Sequence, residues 1–287
     1  MSVLAVDLGG TRMRAALVAG DGQVLERVVL PTPRDQPCAS AVTDLARRLS
    51  VRASPESAVI GVPGRVLHSA GRLEHAPNLP PGWVVSLTEA ALGEALGLPV
   101  ALANDADLAA VGEHRFGAGR GAQDVVYVTL STGVGAGAIL GGKLVAGQRS
   151  GAEIGHVVVD LSARGGTVED LASGTAVARA GAVAGLPADA AQVLARVPDD
   201  PAAAAVWAGA LRAACACVVG LAHLYCPQRL VVGGGLGLHA PGLLEAFRAA
   251  LDDAGPRGLP EPVEVVAAQL GDDAGLVGAA GWQDARR

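Results

Sequence analysis

Asn104-Asp105 closes an apolar run in this chain, and a helix-like pattern follows at once through His114. A carboxylate at such a junction has two uses. It caps the helix by accepting backbone N–H bonds, or it stands at the mouth of a cleft and takes a proton. The residues alone leave both readings open. Other polar groups are scattered around it: Asn78 in APNLPPGW, Glu153 and His156 in GAEIGH, and Glu169 in VEDLASG. Glu153 and His156 are three apart and would share one face of a helix. One Glu and one His are too few ligands for a closed zinc site. Plainer roles also fit: Asn78 as a turn residue, His156 as a core histidine, and Glu169 in a first helical turn, where negative charge is favoured.

Three glycine turns follow three apolar runs: DLGGT from Asp7, LSTGVGAG from Leu130, and VVGGGLG from Val231. Turns without side chains let backbone N–H groups approach an anion. None fits the Walker pattern, and none fits the dinucleotide fingerprint well. Thr11 and Thr132 add a hydroxyl at two of the turns, an arrangement suited to two phosphates of one nucleotide. Asp7 precedes the first turn, where it could face magnesium through water.

The elements that must position these groups alternate. Strands are expected at Val3–Val6, Arg14–Val18, 22–31 and 57–64, helices at Ala39–Leu49 and Thr88–Leu96, and a strand at 99–105. The chain then starts again: Val3–Val18 aligns without gaps on Val125–Leu140, which implies two similarly built lobes facing each other. From Ala172 to Ala254 the pattern is mostly helical, with strands at RLVVGGGLG and VEVVAAQL and a closing helix through DDAGLVGAAGW.

With 287 residues, 51% hydrophobic and 2% aromatic, the chain can fill two lobes with small side chains, which favours α/β layering. The net charge of −6 argues against a general nucleic-acid binder. The four cysteines form no Cys-x-x-Cys pair, and the chain enters a strand with no basic leader, so reduced thiols and a cytoplasmic location are expected. No apolar run reads as a membrane span.

In order, DLGGTRMRAAL, GVPGRV, PNLPPGW, NDADLAAVGE, STGVGAGAIL, SGAEIGH, EDLASG and LVVGGGL resemble the ROK family of bacterial sugar kinases, repressors and open reading frames over essentially the whole chain. The resemblance implies an α/β, two-lobed actin/hexokinase-like (ribonuclease H-like) ATPase fold with a central cleft. The smaller lobe would be 1–103, completed by about 272–287, and the larger 104–271.

The resemblance also implies ATP-dependent phosphorylation of a hexose, glucose first. The alternatives are another hexose or N-acetylhexosamine (N-acetylmannosamine, N-acetylglucosamine, fructose), or a silent sugar-binding protein. By the same resemblance Asp105 is the catalytic base, and Gly64, Asn78, Asn104, Glu153, His156 and Glu169 hold the sugar. ATP and Mg2+ would meet Asp7, Gly9, Gly10, Thr11, Arg12, Thr132, Gly133, Gly233 and Gly234. A homodimer is implied, with no nucleic-acid or membrane partner. A repressor of the family would need a DNA-binding module before the first strand, for which there is no room. One departure stands out. The segment His156–Gly174 has no cysteine, where typical members carry a Cys-x-Cys-Gly-x-x-Gly-Cys zinc motif. No metal site is expected there, and packing is expected to hold the loop.

Overall fold

The computed structural model describes residues 2–50, 54–162, 165–254 and 261–286. In the first half, β1 (Ser2–Leu8), β2 (Arg12–Ala19) and β3 (Val24–Pro31) form an antiparallel meander. It is followed by α1 (Cys38–Ala46), β4 (Ser57–Val62), β5 (Arg65–Leu67), β6 (Arg72–His75), α2 (Trp83–Ser86), α3 (Glu89–Leu96) and β7 (Val100–Asn104). Then α4 (Asp105–Phe116) leads into β8 (Val125–Leu130), β9 (Val134–Leu140) and β10 (Lys143–Leu144). The rest comprises α5 (Val168–Ala172), α6 (Gly174–Val183), α7 (Ala190–Arg196), α8 (Pro201–Tyr225), β11 (Arg229–Gly233), α9 (Gly235–His239), α10 (Leu243–Ala254), β12 (Glu264–Ala267) and α11 (Ala274–Ala285).

Two five-stranded sheets repeat one plan, β3-β2-β1-β4-β7 and β10-β9-β8-β11-β12. In each, an antiparallel hairpin continues into two parallel strands. Inner strands such as β1 and β4 are buried along most of their length because both faces are covered, whereas edge strand β3 alternates half-buried and exposed. The gapless repeat needs one correction. In the first hairpin Leu8 pairs with Met13, but in the second Leu130 pairs with Val134, so the second turn is one residue tighter and the pairing shifts by one.

Two helices, α4 and α11, run between the sheets. Leu108, Val111, Leu276 and Trp282 share one core with Val3 and Val59 of the first sheet and Tyr127 and Val231 of the second. Glycine makes this closeness possible. A Cβ on Gly278 would lie 1.9 Å from the Leu108 carbonyl oxygen, and one on Gly112 would lie 2.3 Å from that of Ala274. Gly137 likewise lets β9 approach Ala110 of α4.

The β5–β6 hairpin, β10, α2 and α9 escaped the sequence reading, being too short for a periodic signal. Among the described residues one helix, α8, is long and apolar enough by length and composition to cross a membrane, with mean hydropathy 1.8 over its most apolar 18 residues. It buries Trp207, Val218 and Leu221 in the core of the second half. All four cysteines are unpaired, and burial pushes the Cys38 and Cys217 thiols up to about 12.

Candidate active site

Where β7 ends, the helix cap is Asn104. Its Oδ1 accepts from the N–H groups of Ala106 (2.9 Å) and Asp107 (3.2 Å), and its Nδ2 donates to the Gly64 carbonyl (3.1 Å). The capping role considered for Asp105 therefore belongs to its neighbour. Asp105 is the first residue of α4, and its Oδ1 accepts from the Ala106 N–H at 2.9 Å.

Asp105 lines two chambers at once. The first, of about 310 Å³, is also lined by Gly64, Asn78, Asn104, Thr132, Gly133, Glu153, His156 and Glu169. The second, of about 300 Å³, adds Asp7, Arg14, Tyr127 and Gly234, and shares Thr129 with the first. A third, more open groove of about 790 Å³ runs on past Thr132, Thr175, Gly235 and His239. Ser131 touches all three.

The Asp105 side chain meets solvent in the cleft, yet protein crowds it from both sheets. That crowding, aided by the negative charge of Asp7, pushes its pKa up to about 7, against the opposing bond from Ala106. Asp7 is not free to turn. Its Oδ2 accepts from Arg14 Nε (2.9 Å) and Nη2 (2.5 Å), while Arg14 Nη1 donates to the Asp272 carbonyl (2.6 Å). Two carboxylates facing one polar chamber, one raising the pKa of the other, offer the hard oxygen chemistry that suits a hydrated magnesium ion beside Asp7.

The first glycine turn stands beside the chambers rather than lining these three cavities. Gly9 N–H donates to the Arg12 carbonyl within the turn (2.9 Å), so that donor is already used. Thr32 Oγ1 donates to the Gly9 carbonyl (2.5 Å) and Arg34 Nη2 to that of Gly10 (2.9 Å), which fixes how the peptides point. Gly10 abuts the Asn78 backbone, where a Cβ would come within 2.3 Å of the Asn78 carbonyl oxygen. Thr11 and Arg12 are exposed on the same turn. In the third turn, Gly234 (φ 82°) lines the second chamber, whereas Gly233 packs under the Tyr127 hydroxyl and lines none of the three.

Glu153 and His156 flank a single 3₁₀ turn, Ile154–His156, with Glu153 Oε2 and His156 Nε2 3.9 Å apart. Glu169 Oε2 accepts from the Val134 N–H at 2.9 Å and sits against Gly133, where a Cβ would lie 2.5 Å from it. The loop before Glu169 is held by more than the expected packing. Val168 N–H donates to the Val157 carbonyl (2.9 Å), and Val159 N–H to that of Gly166 (2.9 Å). Thr167 and Asp170 form a capping box around the start of α5. Residues 163–164 of this loop lie outside the described ones. Among the described residues, no group of three or more His, Cys, Asp or Glu is placed to hold a metal ion.

Sequence reasoning missed Arg14, Arg65, His75, Thr129, Ser131 and Ser150, all of which line the chambers. Ser131 occupies the repeat position of Gly9, and Thr129 that of Asp7, so the repeat itself carried a signal for both.

Two hairpin-led sheets around shared helices, with a polar cleft between them, define the actin/hexokinase-like fold. The chain belongs to the ROK family, whose profile matches residues 3–286. It is 38% identical to the bifunctional enzyme NanE/NanK of Brucella melitensis biotype 1, over 97% of this chain but 53% of that enzyme, so it spans about half that length. It is 33% identical to the glucokinase of Thermotoga maritima, over 98% of this chain and 96% of that one. It is 34% identical to the N-acetylmannosamine kinase of Escherichia fergusonii, over 98% and 97%. Among solved structures, the ROK hexokinase from Thermus thermophilus superposes with a TM-score of 0.87 at 32% identity, covering 99% of each chain. The ROK family glucokinase from Streptomyces griseus, in complex with glucose and AMPPNP, superposes with a TM-score of 0.78 at 31% identity, covering 98% of each.

Proposed function

We propose that the chain transfers the γ-phosphoryl group of ATP to the primary hydroxyl of a hexose, with glucose, giving glucose 6-phosphate, as the leading substrate. The observation that carries this reading is Asp105, one carboxyl shared by a chamber ringed with hydrogen-bonding groups and a chamber holding Asp7 and the Gly234 turn. Ionised Asp105 accepts the hydroxyl proton as the oxygen bonds to the γ-phosphorus. The bond from that phosphorus to the β,γ-bridging oxygen breaks, and its electron pair leaves with ADP. Magnesium, when bound with the nucleotide, neutralises charge on the phosphate oxygens.

Gly64, Asn78, Asn104, Glu153, His156 and Glu169 are read as the sugar ring. Each buried polar group that a wrong sugar leaves unpaired costs about 1–3 kcal/mol. Asp7, Gly10, Thr11, Arg12, Thr132, Gly133 and Gly234 are read as the nucleotide side, with Gly9 and Gly233 shaping their turns. We read 1–103 with 272–287 as one lobe and 104–271 as the other, closing over the reactants to exclude water. The reading takes the protein as a cytoplasmic homodimer, which light scattering and cell fractionation test.

A second reading, an N-acetylmannosamine kinase, is supported by a relative of that name as similar as the glucokinase, at 34% against 33%. The deciding experiment offers ATP with glucose, fructose, N-acetylmannosamine and N-acetylglucosamine and follows ADP release. Preference for glucose supports the first reading, preference for N-acetylmannosamine the second. Sugar binding without ADP release would leave a silent sugar-binding protein.

A further inference from the structure

We propose that Asp107 is a positioning residue for the sugar. Through Ser150 it moors the segment Ser150–His156, which carries Glu153, to the first turn of α4, which carries Asp105. The proposal rests on the reading of Glu153 as a sugar contact.

Helix α4 buries two carboxylates completely, and they are built differently. Glu113 is saturated. Its oxygens accept from the N–H groups of Ala118 (2.8 Å), Gln269 (3.1 Å) and Leu270 (2.7 Å), the pattern of a structural tie. Asp107 accepts one bond, from Ser150 Oγ at 3.0 Å, and its Oδ2 is buried with no partner. A buried polar atom left unmet is costly, so a fold that needed only a filler at this position has no use for a carboxyl. Glu153 Oε1 is a second buried oxygen with no partner, on the segment that Ser150 begins. Both Ser150 and Glu153 line the first chamber.

The segment before Glu153 is gripped in succession. His68 N–H donates to the Gln148 carbonyl (3.1 Å), Arg149 Nε to Glu74 Oε2 (2.6 Å), and Tyr225 Oη to the Gly151 carbonyl (2.5 Å). The first two grips come from the first half of the chain, around β5 and β6, and the third from α8. The Ser150 bond to Asp107 ties the same strap to the cleft floor. Asp107 N–H is itself part of the Asn104 cap that sets Asp105. The proposed base and the proposed sugar arm thus meet at one residue. Besides Ser150, the groups acting on Asp107 are the charges of Glu153, Asp105 and Arg286, and its own charge acts on Tyr225. Burial pushes its carboxyl up to about 7.

The test compares Asp107→Ala, Asp107→Asn, Ser150→Ala and Glu153→Gln. It reads KM for the preferred sugar, KM for ATP and kcat, and measures sugar affinity by calorimetry so that a slow variant is still read. Asp107→Ala and Ser150→Ala are expected to raise the sugar KM at least tenfold while the ATP KM stays within twofold. Asp107→Asn, which keeps both an acceptor for Ser150 and a donor, is expected to restore most of the sugar affinity. Ser150→Ala leaves α4 untouched and decides the matter if Asp107→Ala does not fold. A folded Ser150→Ala with sugar and ATP constants both within twofold of the parent overturns the proposal, as does an equal rise in both. If Glu153→Gln leaves sugar affinity unchanged, the reading of Glu153 falls instead, and the proposal with it.

Discussion

Asp7 on β1 and Asp105, the first residue after β7, line one chamber, and the charge of the first adds to burial in raising the pKa of the second. A base must be ionised to accept a proton, so kcat/KM for ATP, which reports the free enzyme, is expected to fall as pH drops through about 7. Asp7→Asn removes the repulsion and is expected to move that acid limb to lower pH. An unmoved limb would detach Asp105 from the profile.

Replacing the carboxylate itself is the sharper cut. Asp105→Asn keeps the shape and the Asn104 cap, and is expected to lower kcat by at least ~10²-fold. Calorimetric affinity for sugar and nucleotide is expected to stay near that of the parent. Near-parental turnover would place the base elsewhere.

Thr167 tests the loop that positions Glu169. Loss of its capping hydroxyl in Thr167→Ala is expected to cost about 0.5–2 kcal/mol locally. Hydrogen exchange should quicken across 157–170, and the sugar KM should rise more than the ATP KM. Unchanged protection would show that the capping box contributes little.

The close approach of α4 and α11 gives a stability test. Gly278→Ala places a methyl 1.9 Å from the Leu108 carbonyl oxygen, and the helices must part. A loss of roughly 1–3 kcal/mol is expected in denaturant melts. Gly220→Ala on α8, where a Cβ meets nothing within 4 Å, is expected to be neutral or to gain about 0.5–1 kcal/mol.

Asp107 also predicts a pH-dependent stability difference. Its folded pKa, about 7, lies above the ordinary 3.8, so the folded state holds its proton more tightly and stability from this group is lost as pH rises from about 4 to about 7. Complete loss amounts to about 4 kcal/mol. Asp107→Asn lacks this titration. Its Tm relative to the parent is therefore expected to climb between pH 5 and pH 8, and a constant difference would contradict the assignment.

Much of this was legible in the residues. Long apolar strands and the repeated hairpin announced two like sheets, and the ordered motifs brought Asp105, Asn78, Glu153, His156 and Glu169 to one chamber. What stayed hidden depended on competition or on distant partners. Asn104 and Asp105 are both good caps, and only the geometry shows which one is used. The Asp7–Arg14 pair needed the hairpin register, in which they are cross-strand neighbours. Ser150 is an ordinary loop serine until the strap brings it to Asp107.

The one-residue difference between the two hairpin turns sets the halves apart. Four residues bridge the paired strands of the first hairpin and three those of the second, so the peptide groups of the two loops fall at different places along otherwise equivalent strands, and the repeated halves are not interchangeable around the space between them.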